Sequence, residues 1–251
     1  MGMKVAFLLT ASPRFCNEFD KFINSLKNFS QVDYFCYLWN NNQPPDKPGY
    51  EDQILLSERW RYPDPMWAEE KIKTNLPSGH ILKRLVFQDP ERIPIPKVTP
   101  HGAVVWSVWR MHYSWHQADL LRQQEETVSG PYDLIIRGRP DIGIVGDIDL
   151  TGFKNTDSIW VPNHGWHGFG HSICDIMALG TRDTMKTYCD VINHSLHYVR
   201  NGACPFHPET MLAYHLRANK IPVRPGNWGY TIRPDLYKVN DYQTVNFGRW
   251  S

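Results

Sequence analysis

Cysteine, charge of one sign and long apolar runs are all scarce in this 251-residue chain, and each scarcity excludes a class of protein. The 27 Lys and Arg balance 26 Asp and Glu, so the chain lacks the basic field of a dedicated nucleic-acid binder or a membrane-surface protein. No apolar run approaches the length of a transmembrane segment. The five cysteines are an odd number at wide spacings, which argues against a disulfide framework. Together with the lack of a recognisable secretory signal, these absences predict a cytoplasmic protein.

Glycine is missing from the turn where many nucleotide-binding sheets carry it. The first predicted strand is followed by Ala11-Ser12-Pro13-Arg14, so the chain has neither a Rossmann fingerprint nor a P-loop at this turn. The GxSxG motif of α/β-hydrolases and the HExxH motif of zinc proteases are also absent.

Apolar runs alternate with stretches of helical periodicity, which predicts an α/β fold with a central, mainly parallel sheet flanked by helices and long loops. The predicted strands are Lys4–Thr10, Val32–Leu38, Ile81–Phe87, Tyr132–Arg139, Ser158–Val161, Cys174–Leu179 and Ile221–Arg224. The predicted helices are Phe15–Leu26, Met66–Thr74, Ala103–Glu125, Asp183–His194 and Pro208–Ala218.

Aromatic residues are abundant, with 10 Trp, 12 Tyr and 11 Phe. Rings at helical spacing are assigned to the core, whereas rings in glycine-rich or irregular segments are candidates for stacking on a sugar. The core group is Phe15, Phe19, Phe22, Trp109 and Trp115. The stacking group is Trp166, Phe169, Trp228, Tyr230 and Trp250.

The segment Tyr132–Asp141 is the most informative, because an apolar strand ends in two arginines and an aspartate. Ligands of open α/β sheets bind outside the carboxyl ends of the strands. Arg137 and Arg139 are two residues apart and suit a diphosphate, while Asp141 offers oxygen to Mg²⁺ or Mn²⁺. A structural ion pair between Arg139 and Asp141 explains the same residues equally well.

A series of short segments gives the chain a resemblance to a known family. In chain order they are Ser12-Pro13-Arg14, Val32-Asp33-Tyr34-Phe35 closing on Trp39, the helix Val104–Leu121, Tyr132-Asp133, Arg137-Gly138-Arg139-Pro140-Asp141, Asp175 with Ala178-Leu179-Gly180, and His207-Pro208-Glu209. In this order they resemble small bacterial and viral glycosyltransferase-like proteins with the GT-A fold.

The resemblance implies one GT-A-like domain over residues 1–251, with a nucleotide-binding half (1–141) and an acceptor-side half (142–251). It implies transfer of a sugar from a nucleotide-diphosphate donor to a glycan or another hydroxyl acceptor. The setting would be the cytoplasm of a bacterium or of a virus-infected host cell.

The acidic motif that holds a metal ion in such enzymes is incomplete here. Arg139 stands where a first aspartate is expected, which leaves Asp141 as the single carboxylate for Mn²⁺ or Mg²⁺. Dependence on a divalent cation therefore stays open. Asp147 and Asp149 form a lower-ranked acidic pair nearby, for which a solvated loop is the simpler explanation.

The resemblance also gives roles to residues elsewhere in the chain. Arg14 follows the first strand and would contact the donor nucleotide, as would His207 from the C-terminal side. Asp175, among apolar neighbours, and Glu209, in the first turn of a helix, are the acid–base candidates. An inverting transferase needs a carboxylate to accept the proton of the acceptor hydroxyl, and burial raises a carboxyl pKa towards neutrality. A favourable charge at a helix N-terminus is the simpler explanation of Glu209.

The glycine-rich loop 163–171 is predicted to be a mobile substrate loop, with Trp166 stacking on a sugar and His171 contacting substrate. Two other functions fit the sequence. A nucleotidyltransferase would release pyrophosphate from a nucleoside triphosphate. A non-catalytic carbohydrate-binding protein would use the aromatic side chains and would leave the paired arginines unexplained.

Overall fold

The computed structural model describes residues 3–11, 19–40, 65–96, 106–145, 157–162, 172–226 and 228–232. Several sequence predictions fall outside these ranges, namely those for Arg14, Asp147, Asp149, Trp166, Phe169, His171 and Trp250.

Seven strands in the described residues overlap the predicted apolar runs, and two further strands were not predicted. The strands are β1 (Val5–Ala11), β2 (Val32–Trp39), β3 (His80–Gln88), β4 (Leu134–Gly138), β5 (Ile142–Val145), β6 (Ile159–Val161), β7 (Ala178–Gly180), β8 (Val223–Pro225) and β9 (Gly229–Ile232). The helices are α1 (Phe19–Ser25), α2 (Pro65–Asn75), α3 (Trp106–Ser129), α4 (Arg182–Cys189), α5 (Val191–Arg200) and α6 (Pro208–Ala218), with a 3₁₀ turn at Pro90–Arg92.

One seven-stranded sheet organises the fold, in the order β3-β2-β1-β4-β7-β6-β8. β1 is parallel to both β2 and β4, and β2 is parallel to β3. β7 is antiparallel to β4 and to β6, so the sheet is mostly parallel but mixed. Because β2 lies on one side of β1 and β4 on the other, the chain changes direction across the sheet between β1 and β4. A crevice at such a switch point is where open α/β sheets bind ligands.

The central strands of the sheet are buried on both faces, as their continuous apolar sequences require. Every residue of β2 is buried, and the core includes Val5 to Leu9 of β1. Helix α3 packs on β1 and β2, and α4 packs on β7. Phe22 of α1 covers the opposite face at the end of β4. The prediction of an α/β fold with a mainly parallel sheet and flanking helices is confirmed.

Two predicted elements were wrong in their extent. The strand predicted over Cys174–Leu179 is reduced to Ala178–Gly180, because the carbonyls of Asp175 and Ile176 accept hydrogen bonds from a side chain, that of Arg137, instead of a neighbouring strand. The helix predicted over Asp183–His194 is two helices, α4 and α5, which meet at Asp190.

The prediction that Trp228 is free to stack on a sugar was wrong. Its side chain is buried, and its ring lies directly against Gly226, where a Cβ atom would approach within 2.3 Å of the ring. Trp228 therefore belongs to the core. Phe19, Phe22 and Trp115 are buried as predicted.

Among the described residues, no helix is both long enough and apolar enough to cross a membrane. Four of the cysteines lie in the described ranges, and all four are buried and unbridged: Cys36, Cys174, Cys189 and Cys204.

Candidate functional site

The predicted site residues meet at the carboxyl edge of the parallel strands. Arg137 is paired with Leu8 in the register of β1 and β4, so Arg139 and Asp141 emerge from the sheet beside the end of β1. β7 runs the opposite way, with Ala178 opposite Arg137, and the segment 172–177 that leads into it therefore lies at the same edge. The fold thus brings Asp175 beside the end of β4, although nearly forty residues separate them in the chain.

Helix α6 completes the cluster. The amide of Ile173 donates to the Glu209 carbonyl at 3.4 Å, which joins the first turn of α6 to the segment before β7. Asp175 interacts electrostatically with Arg137, Arg139 and His207, and it also acts on Glu209. The predicted residues gathered here are Arg137, Arg139, Asp141, Asp175, His207 and Glu209.

Arg139 and Asp141 form a two-pronged ion pair. The Nε of Arg139 donates to Oδ1 of Asp141 at 2.8 Å, and Nη2 donates to Oδ2 at 2.7 Å. The Asp141 side chain is buried, whereas 22% of the Arg139 side chain is exposed. Asp141 is also fixed from behind, because β5 starts at the next residue and pairs with β9. The pair therefore presents a firmly held guanidinium at the edge of the site.

The ion pair with Arg139 bears on whether Asp141 can bind a metal ion. Both of its carboxylate oxygens accept from Arg139, whose positive charge would lie against any cation bound there. No group of three or more His, Cys, Asp or Glu arranged to hold a metal occurs among the described residues. Asp141 as it stands in this structure does not fit the predicted role of a metal ligand.

Arg137 differs from Arg139 in every contact. Its side chain is fully buried, and its guanidinium lies over the ring of Trp115 with its central carbon 4.2 Å from the ring centroid. Its Nε donates to Oγ1 of Thr10, and its Nη1 donates to the carbonyls of Asp175 and Ile176. Arg137 as it stands in this structure is fully buried and does not fit the predicted contact with a diphosphate.

Asp175 is buried, with 5% of its surface exposed. Burial raises the pKa of its carboxyl, and the nearby charges of Arg137 and Arg139 oppose that rise. The sequence-based expectation of a raised pKa at this position is confirmed.

Glu209 and His207 stand at the start of α6, where Pro208 occupies the first turn. Burial and the neighbouring Asp175 raise the pKa of Glu209 to about 7. Its Oε2 lies 3.2 Å from Nδ1 of His207 and forms no hydrogen bond within the described part of the chain. Burial lowers the pKa of His207, although Asp175 opposes this. Near neutral pH, Glu209 can therefore both accept and release a proton.

The sequence did not single out the residues that surround Arg137. Thr10 is the last residue but one of β1, Trp115 was assigned only to the core, and the Tyr188 ring stacks on Trp115 with the centroids 5.1 Å apart. His112 is also fully buried and acts on Arg137 electrostatically. The one available clue was a histidine beside the apolar stripe of α3, and such a residue is more often a core histidine than a ligand.

Fold and site together define an α/β protein whose mostly parallel mixed sheet, flanked by helices, is consistent with a GT-A-like single domain. No protein-family model matches the chain, and no curated protein matches it. A function for this protein therefore has to be argued from the chemistry of the site.

Proposed function

We propose that this protein is a glycosyltransferase that moves a sugar from a nucleotide-diphosphate donor to a hydroxyl group of a glycan or other acceptor. The observation that carries the proposal is one cluster at the switch point of the sheet. There, Asp175 interacts with the guanidinium of Arg139 on one side and with Glu209 on the other, and both carboxyl groups have raised pKa values. Sugar transfer needs both parts: a cation for the diphosphate and a base for the acceptor.

Arg139 is the donor-side residue in this proposal. Its guanidinium is partly exposed and is held in one orientation by Asp141. When the bond between the sugar and the diphosphate breaks, negative charge grows on the leaving diphosphate, and a fixed guanidinium stabilises that charge without reorganising. In this proposal His207, with 29% of its side chain exposed and in electrostatic contact with the same Asp175, donates a second hydrogen bond to the diphosphate.

Glu209 is the acceptor-side residue. As the acceptor oxygen forms its new bond to the anomeric carbon, its proton passes to the Glu209 carboxylate, and the electron pair of the old bond leaves with the nucleoside diphosphate. A carboxylate whose pKa is about 7 is a stronger base than an ordinary exposed glutamate while remaining partly ionised near neutral pH. Asp175 contributes by raising that pKa.

Isothermal titration with a panel of nucleoside diphosphates and their sugar conjugates, with and without Mn²⁺, tests the proposal. We expect at least one nucleoside diphosphate to bind, and Arg139→Gln to weaken that binding by about tenfold or more, since a charge-assisted contact is worth about 1.5–3 kcal/mol. Arg182→Gln is the matched control, because Arg182 follows β7 at the opposite edge of the sheet and should leave binding unchanged. Absence of binding by every nucleoside diphosphate under both conditions would overturn the proposal.

The products separate this function from the two alternatives. A glycosyltransferase releases a nucleoside diphosphate from its donor, and this can be followed by chromatography. Release of pyrophosphate from a nucleoside triphosphate would instead indicate a nucleotidyltransferase. Binding of glycans that neither needs nor responds to nucleotide would indicate a carbohydrate-binding protein. The burial of Trp228 removes one of the rings that favoured this last function.

A further inference from the structure

We infer that Arg137 is a positioning residue: its guanidinium fixes the backbone that carries Asp175 and supplies the positive charge that faces its carboxylate. The catalytic importance of this role rests on the proposed function, but the placement of Asp175 by Arg137 does not.

The contrast between two buried arginines is the first argument. Arg122 in α3 and Arg137 in β4 are both fully buried. Arg122 is neutralised by the carboxylates of Asp119 and Glu126, each 2.7 Å from a guanidinium nitrogen. Arg137 has no ion pair with a carboxylate in the described part of the chain and donates to a hydroxyl and two carbonyls instead. A buried cation without a carboxylate partner is costly to fold around, so its presence calls for a specific explanation.

The contacts of the Arg137 guanidinium join three separate parts of the fold. Thr10 belongs to the end of β1, Trp115 to α3, and the two carbonyls to the segment before β7. That segment is not part of a strand from Ser172 to Met177, and beyond the backbone hydrogen bond from Ile173 to Glu209 its course depends on side-chain contacts. Arg137 satisfies consecutive carbonyls at Asp175 and Ile176, which determines where the Asp175 side chain starts.

The third argument is electrostatic. The charged groups that act on Asp175 are Arg137 from β4, Arg139 just beyond it, and His207 and Glu209 at the start of α6. Burial disfavours the ionised form of Asp175, and Arg137 is the largest of the opposing influences. Without Arg137, the pKa of Asp175 should rise further, and a protonated Asp175 would no longer raise the pKa of Glu209.

Two substitutions separate the geometric part of this role from the electrostatic part. Arg137→Lys keeps a positive charge, but a single ammonium group cannot span Thr10 and both carbonyls. Arg137→Met keeps much of the volume and removes the charge. Arg122→Met is the control for the loss of a buried arginine, since Arg122 contacts Asp119 and Glu126 rather than the segment before β7.

Hydrogen–deuterium exchange on the full chain, without ligand, measures the geometric part. We expect amide exchange in residues 173–177 to rise about tenfold or more in both Arg137 variants and to stay unchanged in Arg122→Met, because one lost charge-assisted hydrogen bond is worth about 1.5–3 kcal/mol. Carbon-13 NMR titration of the Asp175 carboxyl measures the electrostatic part. Its pKa should be higher in Arg137→Met than in Arg137→Lys, a difference that a purely structural role would not produce.

Unchanged exchange over 173–177 in a folded Arg137 variant would overturn the inference, as would equal Asp175 pKa values in the Lys and Met variants. If neither variant folds, Thr10→Val decides, since it removes only the acceptor of the Nε hydrogen bond. Faster exchange over 173–177 in Thr10→Val supports the inference, and unchanged exchange overturns it. Because neither measurement uses nucleotide, a failure here is distinguishable from a failure of the proposed function.

Discussion

The pKa of Glu209 is raised to about 7 because two features of its position disfavour the ionised carboxylate. Burial removes water from it, and Asp175 adds a neighbouring negative charge. The N-terminus of α6 favours the carboxylate but does not outweigh these features. The sequence suggested the favourable helix position as the simpler explanation of Glu209, and the structure adds Asp175 as the neighbour that raises its pKa.

The pH dependence of sugar transfer should report this pair. We expect kcat/KM to rise with pH through about 7, as Glu209 loses its proton and becomes able to accept one from the acceptor. Asp175→Asn removes the neighbouring charge, lowers the pKa of Glu209 and should move this rise to lower pH. Glu209→Gln should reduce kcat by about 10²–10⁴-fold and leave donor binding intact. A pH profile that is the same in Asp175→Asn as in the wild type would argue against coupling between these two carboxyl groups.

At the scale of the element, two adjacent residues of β4 face opposite sides of the sheet and contact different helices. Side chains alternate across a strand, so Arg137 faces Trp115 of α3 while the next residue, Gly138, faces Phe22 of α1. A Cβ atom at Gly138 would lie 2.7 Å from Cζ of Phe22 and 3.0 Å from Cζ of Phe7. Glycine here allows α1 to approach the end of the strand that carries Arg139.

Gly138→Ala should therefore destabilise the protein by about 1–3 kcal/mol, the usual cost of overpacking a core. Urea unfolding at neutral pH measures this loss. Phe22→Leu in the same chain relieves the contact, so the double variant should be more stable than the sum of the two single losses predicts. Strict additivity of the two losses would show that the Phe22 ring does not limit space at Gly138.

The sequence was sufficient for elements whose residues are determined by local periodicity or by an apolar run. Helix α6 has the predicted bounds, β1 is shifted by one residue at each end, and β2 is longer by one residue. The bounds of an element were predicted wrongly where they depend on a contact with residues far away in the sequence. The strand predicted from Cys174 is shortened by Arg137, and nothing near Cys174 in the sequence shows that contact. The small sheet of β5 and β9 joins segments more than eighty residues apart and was not predicted.

The same distinction applies to the site. The order of residues at the end of β4 predicted that Arg139 and Asp141 belong to one site, because they are neighbours in sequence. It left open whether Asp141 binds a cation or Arg139, and only side-chain geometry decides between these. It also treated Arg137 and Arg139 as equivalent, although one is buried and the other is partly exposed. Burial of this kind depends on α3 and α4, whose positions the local pattern does not fix.

At the scale of the whole molecule, the interior holds histidines that folding keeps neutral. Burial, Arg137 and His215 lower the pKa of His112 to about 3. His215 donates from Nε2 to the Thr187 carbonyl and accepts from the Tyr198 hydroxyl at Nδ1, each at 2.8 Å, and burial lowers its pKa too. The unfolded chain binds protons at these histidines below about pH 6.5, whereas the folded chain does not.

The protein should therefore lose stability as the pH falls from about 6.5 towards 4, by about 1.4 kcal/mol per pH unit for His112, and the lowered pKa of His215 adds to the loss in the same direction. Glu209 and Asp175 partly offset this loss, because acid relieves the cost of burying their charges. His112→Phe removes one titrating group and should make the decline less steep in urea unfolding measured across this pH range. His197→Gln, on the exposed face of α5, is the control and should leave the decline of stability with pH unchanged. An unchanged slope in His112→Phe would show that His112 is not kept neutral by folding.

The position of β3 at one end of the sheet has a consequence for how copies of this protein behave in concentrated solution. In the described residues, β3 pairs only with β2, so its outer side carries backbone groups that another chain could pair with. Lys83 and Arg84 lie at the middle of this strand, and the Lys83 ammonium is turned towards Glu125 of α3 at 3.3 Å. A second copy continuing the sheet would have to bring the same charges together. These two residues thus protect the long edge strand against edge-to-edge aggregation.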